Sequence, residues 1–278
     1  MKANHMCRTI AAVACAVLVA ATGALAEDAP TLPPEPPPIV DPSKLTPQEI
    51  EKILDRLDDL FRSKSSIARV ELTVVKPRRT RTLTMKMWSL GEEKALIVIE
   101  SPAREKGTAT LKVDKNLWNY LPRISRTIRI PPSMMLGSWM GSDFTNDDLV
   151  RESSLREDFE PRLLGKSEEP EGWTIELKAK EGVVGLWDKI EYTLSPNARL
   201  PLEARYFDRK GRLSRVMTFT DVKQFGKRRI PAKMELIPFD RSGKPEKGRK
   251  TVMVYKEIEF DANVPENKFS LSQLERNR

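Results

Sequence analysis

The chain has 278 residues with 48 Lys and Arg against 40 Asp and Glu, a net charge of +8, and is long enough for one large or two small domains. Both cysteines and the only histidine, Cys7, Cys15 and His5, lie near the N-terminus. If that segment is removed, the mature chain has no disulfide, no Ser-His-Asp triad and no Cys or His metal site. In an exported protein the basic balance favours anionic lipid surfaces over nucleic acid as a partner.

The N-terminus has the pattern of a secretory signal peptide. A basic start precedes an apolar run at 10–21, which is shorter than the about 20 residues that span a bilayer. Ala24-Leu25-Ala26 fits a cleavage site, so we expect residues 1–26 to be removed and the protein to be periplasmic. The alternative is an uncleaved anchor or a lipoprotein modified at Cys15. Residues 27–44 are rich in proline and predict a disordered leader, followed by a single domain at 45–278.

The domain is expected to begin with a helix. Thr46, Pro47 and Glu49 have the pattern of a capped helix start, and apolar residues from Ile50 to Phe61 repeat at helical spacing.

The hydrophobic period then changes to two, which predicts β-strands. About eleven short strands are expected, separated by turn sequences: 68–74, 83–87, 95–99, 109–113, 117–121, 173–179, 190–194, 202–206, 213–219, 232–236 and 252–260. In the last strand we expect Val252, Val254, Ile258 and Phe260 to share the buried face. The pattern predicts an α+β, mostly β fold with one strongly curved antiparallel sheet.

The supply of covering elements is small for so wide a sheet. One sheet face is rich in charged residues and is expected to face water, and only the segments 46–62 and 131–152 could cover the other. We therefore expect a concave apolar face that the protein fills only in part.

The segment from 131 to 144 combines methionines, a tryptophan and two glycines, and two interpretations are open. It is either a mobile apolar lid over a cavity or a core loop under the sheet. The lid hypothesis assigns to the cavity and its mouth Tyr120, Leu121, Met134, Met135, Leu136, Trp139, Met140 and Phe144. It predicts that Trp139→Ala weakens lipid binding and changes the melting temperature little.

Charged residues flank this segment on both sides. Arg123, Arg126 and Arg129 could bind an anionic headgroup, or could belong to a charged edge strand. Acidic residues follow at Asp143, Asp147, Asp148 and Glu152. They could form a site for a hard cation or an acid/base pair, but Thr145 fits an N-cap that places two of them in a first helical turn. No metal site and no cofactor is expected.

Several motifs resemble those of a LolA-like family of outer-membrane lipoprotein-sorting proteins. They are Tyr120-Leu121-Pro122, the stretch from Gly137 to Phe144, Asp148-Leu149, Leu200-Pro201-Leu202, Tyr206-Phe207-Asp208, Phe219-Thr220-Asp221 and Val264-Pro265. The resemblance covers about residues 45–275. It implies a LolA/LolB-like fold, an open (unclosed) antiparallel β-barrel covered by a few helices, with a hydrophobic cavity between. It also implies carriage of lipid or lipid-modified protein through the bacterial periplasm.

Three functions follow as hypotheses. The first is a non-enzymatic periplasmic carrier that binds lipid or lipoprotein acyl chains for transport to, or sorting at, the outer membrane, with transient contact to anionic membranes. The second is an accessory or sensor protein that partners an inner-membrane transporter of hydrophobic substrates. The third is a carboxylate hydrolase, for which Asp143 and Asp148 are the candidate catalytic residues.

Overall fold

The computed structural model describes residues 45–61, 63–151, 155–183, 185, 187–197 and 199–276. The predicted signal peptide and proline-rich leader lie outside the described residues, as does Glu152.

Helix α1 spans Pro47–Asp59 and begins as its sequence predicts. Thr46 Oγ1 accepts a hydrogen bond from the Glu49 backbone N–H at 3.3 Å, and the Glu49 carboxylate accepts one from the Thr46 N–H at 2.7 Å. This capping box satisfies two donors at the helix start. The apolar face of α1 buries Ile50, Ile53 and Leu54 in the main core.

Thirteen antiparallel strands form one sheet. They are β1 (Ser65–Lys76), β2 (Arg79–Leu90), β3 (Lys94–Ser101), β4 (Ala109–Val113), β5 (Asn116–Leu121), β6 (Arg126–Arg129), β7 (Phe159–Glu168), β8 (Glu171–Ala179), β9 (Trp187–Leu194), β10 (Pro201–Asp208), β11 (Leu213–Phe225), β12 (Arg228–Pro238) and β13 (Lys250–Phe260). The spatial order runs from β6 back to β1, then from β13 back to β7. The sheet is therefore two meanders joined where β1 pairs with β13, and it is open, with β6 and β7 at its edges.

The eleven strands predicted from the period-two pattern do not include these two edges, although an edge strand is one of the two interpretations that the sequence leaves open for Arg126 and Arg129. β6 exposes most of its side chains, and β7 buries only Phe159. Edge strands of this kind show no run of alternating buried apolar residues, so the period-two pattern does not reveal them.

The predicted buried face of β13 is wrong at its start. Thr251, Met253 and Tyr255 are buried, whereas Val252 and Val254 are half-buried on the opposite face. A bulge opposite Arg69 and Val70 inserts an extra residue into β13. The extra residue shifts the alternation by one position, so that Ile258 is buried in the main core together with Met253 and Tyr255.

One sheet face encloses the main core. The core cluster contains Ile97 of β3 and Ile175 of β8. These strands lie eight positions apart in the strand order, so the sheet curves around the core. The connection from β6 to β7 leads from one sheet edge to the other, and it carries helices α2 (Asn146–Arg151) and α3 (Leu155–Asp158). Together with α1 it covers the concave face, as the sequence predicts.

The opposite, convex face is not simply wet, contrary to expectation. At β3–β5 it carries a second core of Leu96, Ala109, Leu111 and Tyr120. The chain after β13 covers this core with Val264, Phe269 and Leu274, the last of which belongs to helix α4 (Leu271–Arg276). None of the described helices combines the length and the hydrophobicity needed to cross a membrane.

Candidate functional site

An apolar cavity of about 150 Å³ lies between the concave face and its cover. The cover contributes Leu57 from the last turn of α1 and Phe61 just after the helix. The β6–β7 connection contributes Trp139, Phe144 and Leu149. Phe61 stacks on Tyr255 of β13, with ring centroids 5.4 Å apart. The cavity is therefore closed on one side by the two segments that the sequence identified as covers.

The sheet side of this cavity is lined by methionines from four strands: Met87, Met217, Met234 and Met253. Methionine is flexible and polarisable, so it adapts to apolar partners of varied shape. Sequence reasoning concentrated on the methionines near 134–140 and did not assign these four to the cavity. The available signal was the appearance of methionine at inward positions of several alternating strands.

A smaller cavity of about 60 Å³ adjoins the first. Phe144, Leu155, Tyr192 and Met217 line both cavities.

A polar pocket of about 750 Å³, which we call the polar opening, shares lining residues with both cavities. It shares Glu92 and Lys112 with the larger cavity, and Asp147 and Asp158 with the smaller one. The Lys112 ammonium donates to the Glu92 carbonyl at 2.7 Å, so this contact lies at the boundary between the opening and the apolar interior.

The volume of the apolar cavity limits what it can bind in this conformation. Pockets for drug-sized ligands are typically about 300–1,000 Å³, and an apolar cavity of about 150 Å³ admits a molecule such as benzene. An acyl chain would therefore enter only if the cover moves or the methionines repack.

The cover is fastened to the sheet by an ion pair at Asp143. Its carboxylate accepts from Arg249 Nε at 2.7 Å and from Thr251 Oγ1 at 2.8 Å, and its side chain is 2% exposed. The Asp143 backbone N–H donates to Thr251 Oγ1 at 3.0 Å. These bonds join the cover to the start of β13.

A second ion pair fastens the cover at Asp148. Both carboxylate oxygens accept hydrogen bonds from Arg215 of β11, each at 2.7 Å. Arg215 is 5% exposed and lies 4.4 Å from the Trp187 ring centroid and 4.1 Å from that of Tyr206. The guanidinium is thus held by a bidentate carboxylate and by two aromatic rings.

Asp148 also completes a helix cap. Its carboxylate accepts from the Thr145 N–H at 2.7 Å, and its own N–H donates to Thr145 Oγ1 at 3.1 Å. The predicted N-cap at Thr145 is therefore correct, and α2 begins at the next residue.

Burial by itself would raise the pKa of Asp148, but the charge of Arg215 and the hydrogen bonds from Arg215 and Thr145 outweigh it. The pKa of Asp148 therefore lies below its ordinary value of 3.8. An ionised carboxylate held by a buried arginine is suited to anchoring rather than to proton transfer. Among the described residues, no group of three or more acidic, His or Cys side chains could hold a metal ion.

We expect this ion pair to make part of the stability depend on pH. Because the folded-state pKa of Asp148 is depressed, its contribution is present above the unfolded value near 3.8 and is lost as the pH falls through the folded value. The difference in unfolding free energy between the wild type and Asp148→Asn should be constant from pH 7 to about 5 and shrink below about pH 4. Urea unfolding across this range measures it. A difference that stays constant at low pH would contradict the assignment.

Trp139 is buried at the centre of the cover. It is 1% exposed, and its indole N–H donates to Thr110 Oγ1 at 3.1 Å. Ser142, also buried, donates its hydroxyl to the Trp139 carbonyl at 2.7 Å and accepts from the Phe144 N–H at 3.2 Å.

The backbone just after Trp139 is held to the sheet as well. The Met140 carbonyl accepts a hydrogen bond from the Arg81 side chain of β2. Gly141, between Met140 and Ser142 in the chain, has φ +68°, a conformation that favours glycine.

The predicted cavity residues are not all brought together. Trp139 and Phe144 line the larger cavity, and Met140 packs against the main core. Met135 lines the polar opening. Met134 and Leu136 are exposed. This arrangement matches the core-loop interpretation at Trp139 and Phe144, and whether any of these residues binds a ligand stays a prediction.

The assignment of Tyr120 and Leu121 to the cavity and its mouth is wrong. Tyr120 is buried in the second core, and Leu117, three residues earlier, lines the cavity. Side chains alternate along a strand, so Tyr120 faces the convex side. Leu121 is half-buried at the end of β5 and lines neither apolar cavity.

The three predicted headgroup arginines lie near one edge of the sheet. Arg126 and Arg129 belong to edge strand β6, which is the alternative that the sequence left open, and Arg123 lies in the 3₁₀ turn before it. All three are exposed, and Arg129 lines the polar opening.

One family model and several solved structures are similar to this chain. A family model with the description "Uncharacterized protein" matches residues 91–276, more than half of the chain. No curated protein matches.

Three solved structures share the fold. A DUF1329 family protein from Desulfovibrio piger has a TM-score of 0.70 at 22% identity, covering 84% of this chain and 100% of its own. A domain from Vibrio parahaemolyticus, described as an outer membrane lipoprotein-sorting protein domain, has a TM-score of 0.68 at 24% identity, covering 81% and 98%. A LolA superfamily protein from Nitrosomonas europaea has a TM-score of 0.67 at 20% identity, covering 83% and 100%.

Proposed function

We propose that this chain, which belongs to the family whose model matches residues 91–276 and shares its fold with a LolA superfamily protein, is a periplasmic carrier of acyl chains. The chains would be those of lipids or lipoproteins on their way to the outer membrane. The observation that carries the proposal is the apolar cavity under the concave face, lined by four methionines and bordered by a polar opening. The similar fold of the domain from Vibrio parahaemolyticus, which is described as an outer membrane lipoprotein-sorting protein domain, also supports a carrier of lipoprotein acyl chains.

The energetics favour an enclosed site for such a ligand. Each methylene withdrawn from water contributes about 0.8 kcal/mol, so a sixteen-carbon chain left in water costs on the order of 12 kcal/mol. A carrier must therefore surround most of the chain. The curved sheet offers the surface, provided that the cavity enlarges beyond the about 150 Å³ present in this conformation.

We propose a source for this enlargement. Leu57 lies in the last turn of α1 and Phe61 two residues after its end. The ion pairs that hold α1, from Arg156 to Glu51 and Asp55, are exposed and contribute little.

The carboxylates that hold the β6–β7 connection, Asp143 and Asp148, are largely buried. We therefore assign the movement to α1 and to the methionine side chains, and expect the β6–β7 connection to stay in place.

The direct test is to identify what the protein carries. Mass spectrometry of protein purified from its native compartment is expected to find bound lipid or lipopeptide. In solution, the purified protein should take up a fluorescent fatty acid. Protein that is consistently empty and takes up no fatty acid would refute the carrier function.

Filling the cavity should block uptake. Ala68 of β1 is buried and lines the cavity, so Ala68→Phe places a ring in the space that the ligand needs. We expect at least about tenfold weaker binding of the fluorescent fatty acid, which corresponds to about 1.4 kcal/mol. The loss of stability should be smaller than the about 1–3 kcal/mol that overpacking costs in a filled core.

Ala103→Phe is the matched control, because residue 103 is exposed in the β3–β4 connection. It should bind the fatty acid as the wild type does. Unchanged binding by Ala68→Phe would place the ligand outside this cavity.

A further inference from the structure

The edge of the sheet at β6 carries an unusual concentration of exposed apolar side chains. Six large hydrophobic residues are exposed in the described part of the chain, and four of them lie between residues 124 and 136. They are Ile124 at 58%, Ile128 at 42%, Met134 at 56% and Leu136 at 52% exposure. Single exposed apolar residues are ordinary, but a group of them marks an interaction surface.

The same stretch carries only positive charge. Residues 115–142 contain no Asp or Glu and include Lys115 and three arginines. Arg123 and Arg126 are exposed beside Ile124. We refer to Arg123, Ile124, Arg126, Ile128, Met134 and Leu136 as the edge patch.

The edge patch adjoins the opening of the cavity. Arg129, Ile130, Pro132 and Met135, which lie between its members in the chain, line the polar opening. A partner bound to the edge patch would therefore stand next to the opening of the apolar interior.

The geometry points to the edge patch as a docking surface for a bilayer that contains anionic lipids. Apolar side chains at a protein surface enter the boundary between headgroups and acyl chains, and neighbouring arginines bind the lipid phosphates. The edge patch itself contains two arginines and no carboxylate, so it complements a negatively charged surface. Carboxylates lie close by, since Glu275 accepts a hydrogen bond from Thr127 of β6 at 2.8 Å and acidic residues line the polar opening, so the contact with the bilayer is confined to the edge patch. The inference rests on the proposed carrier function only for its purpose, since docking would bring the opening to the membrane from which an acyl chain is taken.

The test uses the full chain with a fluorescent label at one position. Cys7 and Cys15 are replaced by serine, and an environment-sensitive dye is attached through Ser133→Cys, next to Met134, or through Lys210→Cys as a control. Both positions are exposed, and residue 210 lies in the turn between β10 and β11. Because the label reports its own surroundings, the apolar N-terminal run shared by all variants does not produce the signal.

With vesicles of equal parts phosphatidylcholine and phosphatidylglycerol, the label at 133 is expected to shift to the blue, and lipid-borne quenchers should quench it. The label at 210 should not respond. In vesicles of phosphatidylcholine alone, the response at 133 should be much weaker, because the arginines then lack an anionic partner. Arg123→Gln/Arg126→Gln should weaken the interaction about 30-fold, since each arginine near such a surface contributes about fivefold.

Matched substitutions elsewhere separate the edge patch from general surface charge and hydrophobicity. Arg104→Gln/Arg241→Gln and Leu164→Ser/Leu271→Ser change exposed residues outside the edge patch and should leave the response at 133 unchanged. Ile124→Ser/Leu136→Ser should weaken it. No response at 133, equal responses at 133 and 210, or equal losses in patch and control variants would each overturn the inference.

Fatty-acid uptake in solution without vesicles is measured on the same proteins. Uptake without docking would overturn the membrane inference and leave the carrier function standing. Docking without uptake would overturn the carrier function and leave the membrane inference standing.

Discussion

Replacing Asp148 with alanine is expected to lower the free energy of unfolding by about 3–5 kcal/mol. The variant leaves the guanidinium of Arg215 buried without its bidentate partner, and an uncompensated buried charge is costly. The Thr145 cap of α2 is lost at the same time. Urea unfolding followed by circular dichroism measures the change.

The double variant Asp148→Leu/Arg215→Met is the control. Replacing both charges of a buried pair by apolar side chains is often nearly neutral, so the double variant should be more stable than Asp148→Ala. The single variants Asp148→Leu and Arg215→Met are measured alongside it. If the loss of unfolding free energy in the double variant equals the sum of the losses in these two single variants, the charges are not coupled.

Trp139→Ala should also cost about 3–5 kcal/mol of stability. The expectation from the lid hypothesis, a small change in melting temperature, does not suit a side chain that is 1% exposed and hydrogen-bonded to Thr110. The substitution removes the largest fully buried side chain of the described structure and leaves a void beside an existing cavity.

Two milder substitutions separate packing from hydrogen bonding. Thr110→Val leaves the indole N–H without its acceptor, which costs about 1–3 kcal/mol for a buried donor. Trp139→Phe keeps much of the packing and should fall between the wild type and Trp139→Ala. If Trp139→Ala has wild-type stability and weaker fatty-acid binding, the mobile-lid interpretation is correct after all.

The sequence predicts well those features that depend on neighbouring residues. The capping box of α1 lies within four residues, and the alternation of the eleven central strands is visible strand by strand. The cap at Thr145 likewise depends on a partner three residues away. Each of these features rests on residues close together in the chain.

Features that depend on distant residues could not be found in this way. Asp143 and Arg249 are 106 residues apart, and Asp148 and Arg215 are 67 apart, so no local pattern joins them. Alternation shows that Leu117 and Tyr120 occupy opposite faces, but it does not show which face is concave. The docking of the chain after β13 on the convex face is equally invisible to periodicity.

The pairing of β1 with β13 has a consequence for how the protein is made. The registers of this pair join residues 66–75 to 250–260 at the centre of the sheet. Until β13 is available, β1 and β12 each present an unpaired edge, which invites pairing with other chains. Contacts between such distant residues also slow folding, because a long loop must close before they form. The sheet is therefore completed only by its last strand, and until that strand is made the chain is exposed to aggregation through the edges of β1 and β12.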